Sequence, residues 1–144
     1  MMTALTIGAL AAQTGCTVPT IRYYEEIGLL PRAPRRPGGH RIYRDADRKR
    51  LTFIRRCRDF GFAIEDVRTL IALSESPDGN CVEARDLAQA HLAAIRKKRD
   101  ELAQLERGLV HLVERCAATC AGGPMKECVI VEDIPRPSAP SCCR

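Results

Sequence analysis

The residues of this sequence best suited to chemistry are its cysteines, of which the 144-residue chain contains 8. Four of them surround one long stretch of helix-forming sequence. Cys81 stands at its start, Cys116 lies near its end, and Cys120 and Cys128 follow in a loop. Thiols bind soft metal ions, respond to oxidants or fill small cores. The loop spacing matches no common zinc-finger pattern, so the loop alone leaves all three roles open.

The cellular compartment decides whether these thiols are expected to be paired. The N-terminal stretch has no basic segment before its apolar run, and Gln13 interrupts that run, so we expect no signal peptide. No stretch reaches the roughly 20 apolar residues of a membrane span, so we expect a cytoplasmic protein without a membrane partner. A reducing cytoplasm disfavours a disulfide scaffold and favours metal or redox roles for the cysteines.

The long helix limits how the thiols can meet. Cys81 and Cys116 are 35 residues, or five heptads, apart, so they share nearly one helix face about 50 Å apart and cannot share a ligand within one chain. An apolar stripe lies between them, formed by Ala88, Leu92, Ile95, Leu102, Leu105, Leu109, Leu112 and Val113. One chain cannot bury such a stripe, which predicts a homodimer, and we suppose that its two copies pair antiparallel about a two-fold axis. Cys81 of one subunit would then meet the loop of the other at two equivalent sites.

The basic charge lies in the first part of the chain. Residues 1–60 contain 12 Lys and Arg against 5 Asp and Glu, a net charge of +7, whereas residues 61–144 carry −2. Such a concentration of arginine in a small unit indicates a nucleic-acid partner.

Two short helices with a break at "TGC" are predicted over residues 5–28, a pattern typical of a helix-turn-helix. Gly15 suits the turn, and Thr17 is a candidate N-cap for the second helix. That second helix would expose Thr20, Arg22 and Tyr23.

The next segment, "LLPRAPRRPGGHRIYR" (residues 29–44, the wing), suits a short hairpin whose arginines face a polyanion. A helix over 45–60 should follow, with Arg55, Arg56 and Arg58 on its outer side and Cys57 in its apolar stripe, and a fourth helix should begin after Gly61. "SESPDGN" is a break before the long helix, which Asn80 would cap.

These elements predict a mainly α protein. We expect a winged helix-turn-helix DNA-binding domain at 1–74, a linker at 75–80 and a long antiparallel coiled-coil dimerisation helix at 81–116. A Cys-rich metal-binding loop with a short helix would occupy 117–134. The remaining tail, 135–144, contains Cys142 and Cys143, and we expect it to be disordered.

At this point the sequence resembles the MerR family of bacterial transcriptional regulators. The resemblance rests on "TIGALAAQTGCTVPTIRYYEEIGLLP", on "GGHRIYRDADRKRLTFIRRCRDFGF", and on the long helix with its cysteines. Within that family, the chain resembles the branch that senses mercury, lead, cadmium or zinc. The resemblance implies a homodimer that binds a promoter, acts with RNA polymerase there, and activates transcription by distorting the DNA when a metal ion binds.

Carried over by residue, the resemblance implies metal ligands at Cys81, Cys116 and Cys128. The loop is longer than the mercury-sensor pattern and holds the additional thiol Cys120, which we expect to be an auxiliary ligand. The implied DNA contacts are Thr20, Arg22, Tyr23 and Tyr24 of the recognition helix, with Arg41 and Tyr43 of the wing on phosphates. Because the loop offers sulfur and the acidic Glu127 but no His, Asp or Gln, a soft ion is favoured over a hard one.

Two other functions are compatible with the cysteines. A redox- or electrophile-sensing regulator on the same fold would use the same thiols, and a metal-carrying protein would use them without DNA. An enzyme is not expected, since no nucleotide-binding glycine loop, acid–base pair or cofactor motif is present, and a carrier would leave the basic half without a purpose.

Overall fold

The computed structural model describes residues 4–119 and 122–135 of the chain, and divides it into two compact units, Met1–Ala88 and Gln89–Arg144. Cys120, Cys142 and Cys143 lie outside the described residues. The described part is mainly helical: α1 (Ile7–Thr14), α2 (Val18–Glu26), α3 (Asp45–Asp59), α4 (Ile64–Glu75), α5 (Cys81–Thr119), a 3₁₀ turn (Met125–Glu127) and α6 (Val129–Asp133).

The helix-turn-helix forms where its caps predict. Thr6 Oγ1 accepts from the Ala9 backbone N–H at 3.2 Å to start α1, and Thr17 Oγ1 accepts from the Thr20 N–H at 3.3 Å to start α2. Gly15 ends α1 with φ +68°, a left-handed conformation that glycine adopts without steric cost. The turn between the two helices therefore follows from local sequence.

An aliphatic core holds the first unit together. α1 packs on α2 and α3, and α3 packs on α4. The fully buried members are Leu10, Ile21, Leu29, Leu30, Tyr43, Leu51, Ile54 and Val67. Cys57 belongs to this core and Cys16 packs against it, which confirms the packing role that the helical pattern of Cys57 predicts.

The wing is a ribbon held by a few backbone bonds. The Ile42 N–H donates to the Pro34 carbonyl at 3.0 Å, and the Arg36 N–H donates to the His40 carbonyl at 2.8 Å. At its end, Leu5 and Tyr43 exchange two backbone bonds at 2.8 and 2.9 Å. These last bonds join the wing to the strand-like segment that precedes α1.

Arginines of α3 and α4 fasten the ends of α1 and α2. Arg55 donates to the Thr14 carbonyl at 2.7 Å, and Arg68 donates to the Ile27 carbonyl at 2.9 Å. Such bonds satisfy helix-terminal carbonyls that have no partner within the helix. Arg55 is partly exposed, as the helical pattern predicts, but one of its nitrogens is committed to the fold.

α5 begins at Cys81, where Asn80 Oδ1 accepts from the Val82 N–H at 2.9 Å, and it continues to Thr119, beyond the predicted end at residue 116. No residue of α5 is buried in the single chain. In the second unit, Arg115 of α5 forms an ion pair with Asp133 of α6. Among residues 4–119 and 122–135, no helix combines the length and apolarity needed to cross a bilayer.

Candidate DNA-contact surface and candidate metal centre

The recognition helix α2 presents part of the predicted set of DNA contacts to solvent. Arg22 is exposed, and Tyr23 has 48% of its surface accessible. Thr20 is half-buried, and its hydroxyl lies 2.7 Å from that of Thr17. Tyr24 is only 7% exposed, and burial raises the pKa of its phenol. The structure thus places Arg22 and Tyr23 at the surface and Tyr24 in the core.

The two wing residues predicted on phosphate also differ in exposure. The Arg41 side chain is 29% exposed, whereas Tyr43 is fully buried. The alternating pattern of "HRIYR" does not show which side of a ribbon is covered. The backbone bonds to Leu5 decide it, because they hold Tyr43 against the core. Arg41 therefore lies closer to solvent, whereas Tyr43 joins the wing to the core of the first unit.

Glu25 joins these elements, although the sequence pattern gave it no role. Its carboxylate accepts from Tyr43 Oη at 2.5 Å and from Arg41 Nη1 at 2.8 Å, with 2% of the side chain exposed. One sequence signal points to it, since Glu25 follows Ile21 by four residues and so shares the buried face of α2. An acidic residue on such a face requires partners.

The rest of the wing is rich in exposed polar side chains that can meet phosphate. The wing contributes the solvent-exposed arginines Arg32, Arg35, Arg36 and Arg44, together with His40. They belong to the same segment as Arg41, whose guanidinium bonds to Glu25 of α2, and exposed arginines of this kind are suited to phosphate.

The predicted thiol ligands lie at three described positions. Cys81 is exposed at the first residue of α5, and Cys116 is half-buried near its end. Cys128 is half-buried at the N-cap of α6. In the part of the chain that the structure describes, no three His, Cys, Asp or Glu side chains are grouped as a metal site. Cys120 lies outside that part.

The ion pair of Arg115 with Asp133 places α6 beside the last turns of α5. Cys116 adjoins Arg115 in sequence, and Cys128 precedes Asp133 by five residues, about 7.5 Å of helix. The loop therefore returns Cys128 toward the end of α5 that carries Cys116. In contrast, burial raises the pKa of the Cys57 thiol, so this core cysteine is poorly suited to act as a thiolate ligand.

A helix-turn-helix with an exposed arginine and tyrosine on its second helix, beside a basic wing, defines the class of winged helix-turn-helix DNA-binding proteins. The family follows from comparison with known proteins. Residues 5–73 match the model described as "MerR HTH family regulatory protein", and residues 48–112 match "MerR, DNA binding". The chain belongs to the MerR family of DNA-binding transcriptional regulators, which is not a family of enzymes.

Similar proteins cover nearly the whole chain. The HTH-type transcriptional regulator HmrR of Rhizobium leguminosarum bv. viciae is 39% identical over 90% of this chain and 97% of that protein. The transcription regulator PbrR691 of Ralstonia metallidurans CH34, in complex with lead(II), matches with TM-score 0.77 and 38% identity, over 90% of this chain and 98% of that one.

A third match is MerR of Bacillus megaterium MB1 in complex with mercury(II), with TM-score 0.68 and 29% identity over 92% of this chain and 100% of that one. These matches confirm the family resemblance and the mainly α fold with a helix-turn-helix and a long C-terminal helix.

Proposed function

We propose that this protein is a homodimeric, metal-responsive transcriptional regulator. A thiophilic ion, namely mercury, lead, cadmium or zinc, would be held at each of two sites by Cys81 of one subunit and by Cys116 and Cys128 of the other. The dimer would bind a promoter and act there with RNA polymerase. The observation that carries the proposal is the position of the thiols at the two ends of α5, with an uncovered apolar stripe between them.

The exposed stripe supports dimerisation. Leu92, Ile95, Leu102, Leu105, Leu109 and Val113 have exposed fractions of 44–65% in the single chain. Each such side chain gains roughly 1.5–3 kcal/mol when it moves from water into a packed interface. The α5 helix of a second subunit is the simplest way to bury the stripe, because a two-fold axis places two copies of the same stripe against each other.

The donor set supports a soft ion. The three proposed ligands are thiols, and thiolates select ions such as zinc and the heavier thiophilic metals over magnesium or calcium. When bound, the ion would hold the thiols as thiolates and link the two subunits. Related structures that contain lead(II) and mercury(II) agree with this choice. For the promoter to respond, the ion must bind the activating state of the dimer more tightly than the repressing state.

Mixed dimers test the cross-subunit site. A Cys81→Ser subunit is paired, through different affinity tags, with a subunit carrying both Cys116→Ser and Cys128→Ser. In the proposed geometry one complete site survives in this mixed dimer, whereas neither parent homodimer has any. Anaerobic titration with cadmium(II) in thiol-free buffer should show a thiolate-to-metal absorption band that saturates at one equivalent per mixed dimer and two per wild-type dimer.

Absence of that band in the mixed dimer, with the wild-type titration intact, would contradict a site shared between subunits. A promoter response to oxidant but not to metal would support the redox-sensing regulator instead.

The DNA surface has a separate test. Arg22→Ala removes an exposed guanidinium from α2 and should weaken promoter binding about tenfold or more, since a base contact contributes about 1–3 kcal/mol. Its metal titration should match wild type. Arg107→Ala deletes the same charge from the exposed surface of α5 and serves as the matched control. Equal promoter affinity for the two variants would remove Arg22 from the DNA surface.

A further inference from the structure

Glu25 is the one acidic side chain buried among the residues that the structure describes. It lies in the last turn of α2, and both of its side-chain partners come from the wing: Tyr43 on one carboxylate oxygen and Arg41 on the other. Burial of an ionised carboxylate is unfavourable unless it is paired and hydrogen-bonded. The wing therefore supplies the hydrogen bonds and the positive charge that offset the cost of burying Glu25 at the end of α2.

The two partners have different roles. Tyr43 is held against the core by its backbone bonds to Leu5. The pKa of its phenol is raised to about 12, by burial first and by the Glu25 carboxylate second. Its hydroxyl is therefore a donor at every physiological pH. Arg41 remains 29% exposed and uses Nη1 for Glu25. A guanidinium has five N–H donors, more than its bond to Glu25 uses, so Arg41 has further donors for a phosphate.

We propose that Glu25 is a positioning residue for DNA recognition, which fixes the wing against α2 so that Arg41 and the exposed wing arginines meet phosphates at a set offset from Arg22 and Tyr23. The inference rests on the DNA contacts of the proposed function. Each carboxylate oxygen bonds a different wing residue, so the wing is attached to α2 at two points. Two points of attachment restrain both the distance of the wing from α2 and its rotation. Phosphate contacts fix the register of a DNA-binding protein, so a displaced wing loses them.

If Glu25 acted on DNA binding only through its charge, its replacement by glutamine would change the DNA affinity in the opposite direction. A carboxylate near DNA repels phosphate, so its neutralisation would strengthen binding. Glu26 provides the matched control, because it is the next residue of the same helix, carries the same charge and is exposed. Glu25→Gln and Glu26→Gln remove equal charge, and only the first removes the anchor.

The measurement is fluorescence anisotropy with a labelled duplex selected from a random-sequence pool by the wild-type dimer. We expect Glu25→Gln to weaken binding about tenfold. The slope of log affinity against log salt should fall in magnitude by at least about 2, since each lost phosphate contact contributes about 0.9 and each of the two wings loses at least one. Glu26→Gln should bind with equal or higher affinity.

Two further variants separate this inference from the proposed function. Arg41→Gln should weaken binding and reduce the salt slope, and the double variant Glu25→Gln/Arg41→Gln should lose little more than either single variant. If Arg41→Gln binds as wild type does, the phosphate contact expected of Arg41 is absent and the positioning role of Glu25 fails with it, while promoter binding through Arg22 depends on its own test. If Arg41→Gln weakens binding and Glu25→Gln does not, only the positioning role of Glu25 fails.

Folding is followed by circular dichroism and by the metal titration, which should match wild type in each variant. Should Glu25→Gln lose helix content, Tyr43→Phe decides, because it keeps the carboxylate and its pair with Arg41 but removes the hydroxyl anchor. Weaker binding with a smaller salt slope for Tyr43→Phe supports the proposal, and wild-type binding overturns it.

Discussion

Replacement of Gly15 by alanine should destabilise the DNA-binding unit far more than a surface glycine change normally does. Gly15 has φ +68°, and a Cβ built on it would lie 1.6 Å from Arg55 Nη1. The guanidinium thus occupies the space that a side chain would need. Alanine at this position must both adopt a left-handed backbone and displace Arg55 from the Thr14 carbonyl.

The magnitude follows from these two effects. A left-handed conformation costs an L-residue roughly 1–2 kcal/mol. Loss of the charged hydrogen bond from Arg55, now 2.7 Å long, costs about 1.5–3 kcal/mol. Reduced freedom of the unfolded chain returns about 0.4–1 kcal/mol. The free energy of unfolding should therefore fall by about 2–4 kcal/mol.

Urea unfolding at a fixed protomer concentration measures this change, because dimer stability depends on concentration. Gly8→Ala is the matched control: Gly8 lies in α1, has a negative φ, and its Cβ would meet only Thr6 Oγ1 at 4.0 Å. This control should stabilise the unit by about 0.5–1 kcal/mol.

A double variant tests the mechanism. Gly15→Ala and Arg55→Ala both remove the same hydrogen bond, so together they should cost about 1.5–3 kcal/mol less than the sum of the single changes. Additive costs would refute the idea that the guanidinium and the missing side chain share one space.

Three further outcomes are expected. Leu105→Asp should raise the dimer dissociation constant at least 100-fold in sedimentation experiments, since two buried leucines are lost per dimer at about 1.5–3 kcal/mol each, whereas Gln104→Asp, beside the stripe, should not. Because the pKa of Tyr43 is raised to about 12, the unfolded chain loses this proton first above pH 10. Wild-type stability should therefore fall between pH 10 and 12 by roughly 2 kcal/mol more than that of Tyr43→Phe, and equal pH profiles would count against the buried phenol. Asp133→Asn should weaken cadmium(II) affinity about 2–5-fold by releasing α6 from Arg115, as expected for an exposed pair contributing about 0.2–1 kcal/mol, and an unchanged affinity would show that this pair does not support the loop.

Local features of the fold were predictable because they depend on near neighbours. Thr17 and Asn80 cap the helices that follow them, and Gly15 adopts the left-handed turn. The stripe along α5 follows from helical periodicity alone.

Long-range contacts were beyond the sequence pattern. Tyr43 and Tyr24 belong to aromatic motifs that suggest a DNA surface, yet both are buried, because contacts with distant residues decide their environment. The bond from Arg55 to Thr14 joins residues 41 positions apart, and no periodicity indicates it. The ligand set remains a proposal for the same reason, since Cys81 and its expected partners lie at opposite ends of α5 and meet only in an assembly.

The absence of any buried residue in α5 of the single chain has a meaning for the protein in a cell. The DNA-binding unit has its own core within the single chain. Under the proposed function, however, a single chain carries only part of the ligand set of each metal site. Such a chain would have no complete metal site until it forms a dimer with a second copy. The abundance of the regulator would then set not only how often a promoter is occupied, but also what fraction of the protein is able to sense at all.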